Sequence, residues 1–377
     1  MSFWPVIIVG ATLFVAYANG ANDNFKGVAT LFGSGTTDYR KALWWATLTT
    51  LAGSVTAIFT ATKLVSIFQG KDVVPTVLTQ SQPFVAAVIL GAALTVFLAT
   101  KIGIPISTTH SLTGALSGGG FVAVGLEIGF YQLLTSFFLP LIVSPLLAVI
   151  LANFGYPLAG RVLRSVGFSK ETCVCVGSEA VPGAVTPEGI VIHEAVSGLR
   201  VIVDNQTACA RPCSGTLFGL SGQKTLDAGH FLSAGAVSFA RGLNDTPKIV
   251  ALGLIAGTVD LTWSVIFVAV IMALGGLINS GKVAETVSRR ITGMDPDQGF
   301  LANCVTSFLV IFASLWGLPV STTHVSCGAL FGIGIANGQA RWNVIRTILL
   351  AWLLTLPIAA LSAALTYAIL SRVAPNW

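Results

Sequence analysis

Asn22-Asp23-x-x-Lys26 and Asn244-Asp245-x-x-Lys248 are the residues whose types and spacing could do chemistry in this chain. In each block a carboxylate and an ammonium stand three residues apart, close enough to pair along one helical face. Such groups are costly inside hydrocarbon, and where they occur they mark ion or substrate sites. A buried ion pair that only joins two helices would account for one such block. Two at matching places point instead to a shared central site. A second pair of blocks carries hydroxyls: Gly103-Ile104-Pro105-Ile106-Ser107-Thr108-Thr109-His110 and Gly317-Leu318-Pro319-Val320-Ser321-Thr322-Thr323-His324. Proline ends what precedes it, and Ser and Thr then serve as N-cap and first turn of a helix. Free backbone N–H groups, hydroxyl donors and the positive end of the helix dipole together suit an oxyanion. Small polar residues at close helix contacts would explain a lone Ser-Thr-Thr-His. Two copies, each after Gly-x-Pro, favour a ligand. His110 and His324 read as scaffolding that orients these segments rather than as proton carriers. Asp38 and Asp260 either close unwound segments or cap a helix.

The elements that must position these residues are membrane helices. Apolar residues make up 54% of the 377 and charged residues only 9%, against roughly 25% charged in an ordinary soluble chain. Lipid is therefore the solvent for most of the chain, which excludes a cytosolic enzyme, a nucleic-acid-binding domain and a disordered scaffold. The net charge of +5 belongs to short loops, in keeping with the positive-inside bias. No Lys or Arg precedes the apolar stretch 3–17, so it reads as a first membrane helix rather than a secretory signal. Further apolar segments run over 42–68, 83–100, 104–124, 130–152, 227–256, 258–278, 300–316, 318–336 and 343–370. Most approach or exceed the ~20 residues that a helical span needs. Segments 104–124 and 318–336 are rich in Gly, Ser and Thr and read as re-entrant-like hairpins.

The blocks recur in order. Gly20-Ala21-Asn22-Asp23 matches Gly242-Leu243-Asn244-Asp245 at an offset of 222, and the two Pro-x-Ser-Thr-Thr-His blocks match at 214. The chain is thus a duplicated membrane unit. Glycines at each Asn-Asp block, with Pro247 in the second, predict a helix that unwinds at both copies. Basic turns set the orientation: with the N-terminus outside, Arg40, Lys41 and Lys101 fall inside. Five crossings per unit then make the second repeat inverted. The expected division is a first repeat over 1–155, a polar cytoplasmic insert over 156–226 and the inverted repeat over 227–377. The fold class is an all-α polytopic membrane protein with broken first helices. In the insert, Cys173, Cys175, Cys209 and Cys213 suggest zinc or an iron–sulfur group in a reducing compartment, or two disulfides in an oxidising one. The inside placement favours metal or free thiols. Cys304 and Cys327 read as packing residues.

Two inverted units, each with a Gly-x-Asn-Asp block and a Pro-x-Ser-Thr-Thr-His block, resemble the inorganic phosphate transporter family, the PiT or Pho-4 permeases. The resemblance covers both apolar halves and not the insert. It implies phosphate transport with a coupling cation, protons or sodium, around a central site. Asn22, Asp23, Asn244 and Asp245 would hold cation and phosphate, with Ser107, Thr108, Thr109, Ser321, Thr322 and Thr323 donating to phosphate. The family pattern Gly-Ala-Asn-Asp-Val-Ala-Asn ends in Asn where this chain has Lys26 and Lys248, which puts charge where a sodium ion would sit. The resulting expectation is a symporter in the cell (inner) membrane that needs no cofactor, binds no nucleic acid and forms a homodimer. A sulfate permease of the same fold is the alternative. An intramembrane hydrolase is the distant one: it needs a single asymmetric nucleophile–base pair, whereas every candidate here occurs twice.

Overall fold

The computed structural model describes residues 3–60, 62–165, 172–177, 180–185, 191–195, 200–205, 218–254, 257 and 259–373. They fall into two compact units, one of residues 1–156 and 232–377 and the other of residues 157–231. The larger unit is helical. The principal helices of the chain are α1 (Trp4–Asp23), α2 (Ala29–Gly33), α3 (Tyr39–Thr60), α4 (Gln82–Ile102), α5 (Thr108–Val124) and α6 (Leu139–Ser165) in the first half. The second half holds α7 (Gly222–Gly253), α8 (Leu261–Asn279), α9 (Pro296–Trp316), α10 (Thr322–Ala336) and α11 (Trp342–Val373). Among the described residues, seven helices or helix pairs are long and apolar enough to cross a membrane. This is a multi-pass integral membrane protein.

The order of elements is the same in both halves. A long first helix is followed by a plain span (α3, α8), then by a helix–tip–helix hairpin (α4–α5, α9–α10) and a long last helix (α6, α11). Both hairpins turn in the same way. Helices α4 and α9 end on Gly103 and Gly317 in the left-handed region, at φ +77° and +78°, where a side chain would be strained. Four non-helical residues follow, 104–107 and 318–321, before Ser107 and Ser321 cap the next helix. Each serine side chain accepts the N–H of the histidine three residues on, the usual N-cap bond.

The first helices differ. In the first repeat the α-helix stops at Asp23 and a 3₁₀ stretch, Asn24–Val28, breaks it before α2. In the second repeat α7 runs on as α-helix through Asn244, Asp245 and Pro247 to Gly253. The sequence predicts an interruption at both copies, and the structure has it only at the first. Pro247 removes one backbone donor, but a single missing bond leaves the turns on either side intact.

The core lies where α1 packs on α4 and α8, and α11 on α4 and α5. Glycine permits the closest approaches. A Cβ on Gly20 would stand 1.9 Å from the Met272 carbonyl oxygen, and one on Gly242 2.1 Å from that of Thr50. Helix α7 carries three charges along its middle, yet nearly all of its residues from 234 to 252 are buried in protein. By contrast α11 exposes Leu349, Leu350, Leu353, Leu361 and Leu365, an apolar face suited to lipid.

In the smaller unit β1 (Thr172–Gly177) pairs antiparallel with β4 (Arg200–Asn205) and β5 (Phe218–Ser221), and β2 (Ala180–Val185) pairs with β3 (Val191–Ala195). Cys173 and Cys175 lie on β1, with side chains outside the described set, and Cys209 and Cys213 lie outside the described residues. Among the described residues no three His, Cys, Asp or Glu side chains gather in a way that could hold a metal.

Candidate functional site

The first-repeat block bonds to the second-repeat tip, and the second-repeat block to the first-repeat tip. Lys26 Nζ donates to Thr323 Oγ1 at 2.8 Å, and Lys248 Nζ donates to Thr109 Oγ1 at 2.8 Å. Each ammonium also reaches a main-chain carbonyl of a tip: Lys26 that of Ile106 at 2.8 Å, Lys248 that of Val320 at 2.6 Å. Ile106 and Val320 are matching positions, so the two contacts are one contact made twice. Lys26 further pairs with Asp23 and bonds Asn22 Oδ1 at 2.7 Å. Lys248 Nζ lies 3.6 Å from Asp245 Oδ1.

Asn22 and Asn244 hold the hairpins. Asn22 Nδ2 donates to Thr100 Oγ1 and the Ile104 carbonyl, while its Oδ1 accepts the N–H of Ile106. Asn244 Nδ2 donates to the Val320 carbonyl, and its Oδ1 accepts from Ser314. Thr108 Oγ1 donates to Asp23 Oδ2 at 3.2 Å. Its counterpart Thr322 is buried, and among the described residues its hydroxyl makes no hydrogen bond. Thr109 and Thr323 each donate to a carbonyl of the opposite tip, at 3.3 Å to Val320 and 3.0 Å to Ile106.

Two residues outside the repeated motifs complete the cluster. Arg241, on α7 and 1% exposed, donates to Asn19 Oδ1 at 2.8 Å and Asn24 Oδ1 at 3.0 Å. Its Nε lies 3.8 Å from Asp245 Oδ2 and has no hydrogen-bond partner. Asn19, on α1, donates to Asp23 Oδ2 at 2.9 Å, Thr108 Oγ1 at 2.9 Å and Asp245 Oδ2 at 3.2 Å. The missed signal is an arginine one residue before Gly242, inside an otherwise apolar span. The cluster thus joins three cationic side chains (Lys26, Lys248, Arg241) with two carboxylates (Asp23, Asp245). Its formal charge is one positive in excess, within protein that excludes water. Buried charges persist only when paired and hydrogen-bonded, and here nearly every oxygen is engaged.

His110 and His324 stack on each other with ring centroids 4.2 Å apart, and His324 packs on Trp352 at 3.7 Å. His110 Nδ1 and both ring nitrogens of His324 are without hydrogen-bond partners. The pair therefore joins the hairpins by ring packing rather than by polar contacts. Asp38 and Asp260 lie outside the cluster and cap helices: Asp38 accepts the N–H of Lys41 and Asp260 that of Trp263, both at 2.9 Å. The Lys41 N–H holds the exposed Asp38 carboxyl below its ordinary pKa.

Two hairpin tips and two first helices are thus bonded crosswise around buried charges. The phosphate transporter family model matches residues 19–363. This chain belongs to the phosphate transporter family. Membership makes it a transporter and not an enzyme. A Thermococcus kodakarensis protein described as a "putative phosphate permease" is 28% identical over 98% of both chains. The chloroplastic inorganic phosphate transporter 2-1 of Arabidopsis thaliana is 26% identical over 92% of this chain and 69% of its own length. Among solved structures, one titled "The sodium-dependent phosphate transporter" superposes with a TM-score of 0.76 at 21% identity, covering 99% of this chain and all of the other. That likeness shows a shared fold.

Proposed function

We propose that this chain is a secondary active transporter of inorganic phosphate that works as a cation-coupled symporter in the cell membrane, with protons or sodium as driving ion. The observation that supports it best is the crosswise pairing of Lys26 with Thr323 and Lys248 with Thr109. It puts donors from both repeats around one buried place with excess positive charge, which suits an oxyanion. For the anion to be released to alternate sides, these bonds must break and re-form as one repeat rocks against the other. Asp23, Asp245 and the tip carbonyls supply acceptors beside the donors. A phosphate that carries protons satisfies both kinds of group, whereas sulfate can only accept, so the site favours phosphate over sulfate. The assembly is a homodimer of subunits, each with two inverted repeats, over 1–155 and 227–377, and a cytoplasmic insert over 156–226. Uptake of labelled phosphate into proteoliposomes, under imposed proton or sodium gradients and with arsenate and sulfate as competitors, tests the reading. Competition by sulfate as strong as by arsenate would defeat it.

A further inference from the structure

We infer that Lys26 and Lys248 are resident cations, each filling a place built to hold a small metal cation, and that transport by this chain needs no sodium. The inference rests on the phosphate-transport reading and names the ionic requirement of that same site. The structural neighbour's title makes sodium the group to test against the residues present.

The donor set around Lys26 is the starting point. Its Nζ is ringed by oxygens of four kinds: the Asn22 amide, the Asp23 carboxylate, the Ile106 main-chain carbonyl and the Thr323 hydroxyl. These are the ligands a hard cation takes, and they converge where the first helix is broken at Asn24–Val28. The same kinds of group recur at Lys248: the Thr109 hydroxyl, the Val320 carbonyl and the Asp245 carboxylate. An ammonium has three donors and no acceptor, so four oxygens use all the donors of Lys26. The residues therefore fit a cation, and the chain supplies that cation covalently.

A sodium ion has no place beside it. It would have to share these oxygens with an ammonium of like charge in a medium of low dielectric, where repulsion is strongest. Nor does the wider cluster call for another cation. With Arg241, three cationic groups already face two carboxylates, so an incoming anion neutralises the site and an incoming cation does not. Because the ammoniums are tethered, they cannot be carried across. Uphill uptake then draws on the proton gradient or on exchange against an anion from the other side.

The test uses the purified full-length protein in liposomes and follows exchange of external labelled phosphate for internal phosphate at fixed pH and clamped potential. Exchange needs no driving ion, so it isolates the requirement of the site. Replacing sodium by choline on both sides should change the rate by less than about twofold, since an ion with no site shifts no equilibrium. A loss of about tenfold or more in choline overturns the inference and leaves the phosphate reading standing. No exchange in either salt overturns the phosphate reading and the inference with it. Thermal unfolding gives a second readout. Sodium should leave the unfolding temperature of the unmodified protein unchanged and raise that of Lys26→Ser or Lys248→Ser, whose oxygen cages are open. Stabilisation of the unmodified protein by sodium, relative to choline, overturns the inference, and that comparison holds even where the variants do not fold.

Discussion

Asn19 and Arg241 occupy equivalent positions of the two repeats, 222 residues apart, and they bond each other: Arg241 Nη2 donates to Asn19 Oδ1 at 2.8 Å. Equivalent residues can meet only near the axis that relates the repeats, so this bond lies close to that axis. There the duplication is deliberately unequal. Asn19 serves three oxygens of the cluster, whereas Arg241 adds the charge that leaves the cluster positive.

Arg241→Asn makes the two positions alike and removes that charge. Hydrogen bonds to charged groups contribute about 1.5–3 kcal/mol, so phosphate should bind roughly ten- to a hundredfold more weakly. Arg241→Lys, which keeps charge but not the planar fork, should fall between the two. Equilibrium binding of labelled phosphate to the purified protein checks the order. Equal affinity in all three would remove Arg241 from the site.

Thr108 and Thr322 are matched in sequence but not in bonding. The Thr108 hydroxyl is held between Asn19 and Asp23, while that of Thr322 has no partner among the described residues. Thr108→Val should therefore lower stability by about 1–3 kcal/mol, because it leaves buried polar groups unmatched. Thr322→Val should leave the unfolding temperature nearly unchanged and still weaken phosphate uptake, its hydroxyl being free for the anion. Thermal unfolding and uptake measured together separate the two. Normal uptake by both variants would take the tips out of the binding site.

These contrasts show how far the sequence was legible. Duplication exposed the Asn-Asp-x-x-Lys and Ser-Thr-Thr-His blocks because both copies kept the same residues. The apolar runs 83–100 and 300–316 lie within α4 and α9, as expected of uniform hydrophobicity. Arg241 is not marked by the duplication, because its counterpart is Asn19. The unbroken course of α7 past Pro247 was equally invisible, since it depends on neighbours that hold the flanking turns. His110 and His324 read as scaffolding, and the means, a ring stack across the two tips, is long-range geometry that no local pattern encodes.

Lys26 and Asp23 form a buried pair, with side chains only 4% and 2% exposed. Lys26→Met should destabilise the fold by about 3–5 kcal/mol, because it breaks a buried ion pair by removing one partner and takes from Asp23 the ammonium in direct contact with it. Asp23→Asn in the same chain should recover much of that loss, giving a coupling energy of about 1–3 kcal/mol in the double-mutant cycle. Denaturant unfolding in detergent, of the unmodified protein and the three variants, provides the measurement. Additive effects would mean that the pair is not a unit.

Gly20 tests the packing that brings the cluster together. It lies two residues before Asn22 on α1, where a Cβ would stand 1.9 Å from the Met272 carbonyl oxygen on α8. Backbone cannot swing aside as a flexible side chain can, so Gly20→Ala must push α1 and α8 apart. Overpacking of this kind costs about 1–3 kcal/mol, and the displacement would carry Asn22 and Asp23 with it. Gly10, on the same helix, has no atom within 4 Å of the position a Cβ would take. Gly10→Ala should therefore be neutral or slightly stabilising, since alanine favours a helix interior by roughly 0.8–1 kcal/mol over glycine. Unfolding temperature and phosphate uptake of the two variants, made in parallel, decide the matter. Gly20→Ala should lose both, Gly10→Ala neither. If Gly20→Ala is as stable and active as Gly10→Ala, the contact between α1 and α8 does not set the position of the Asn-Asp block.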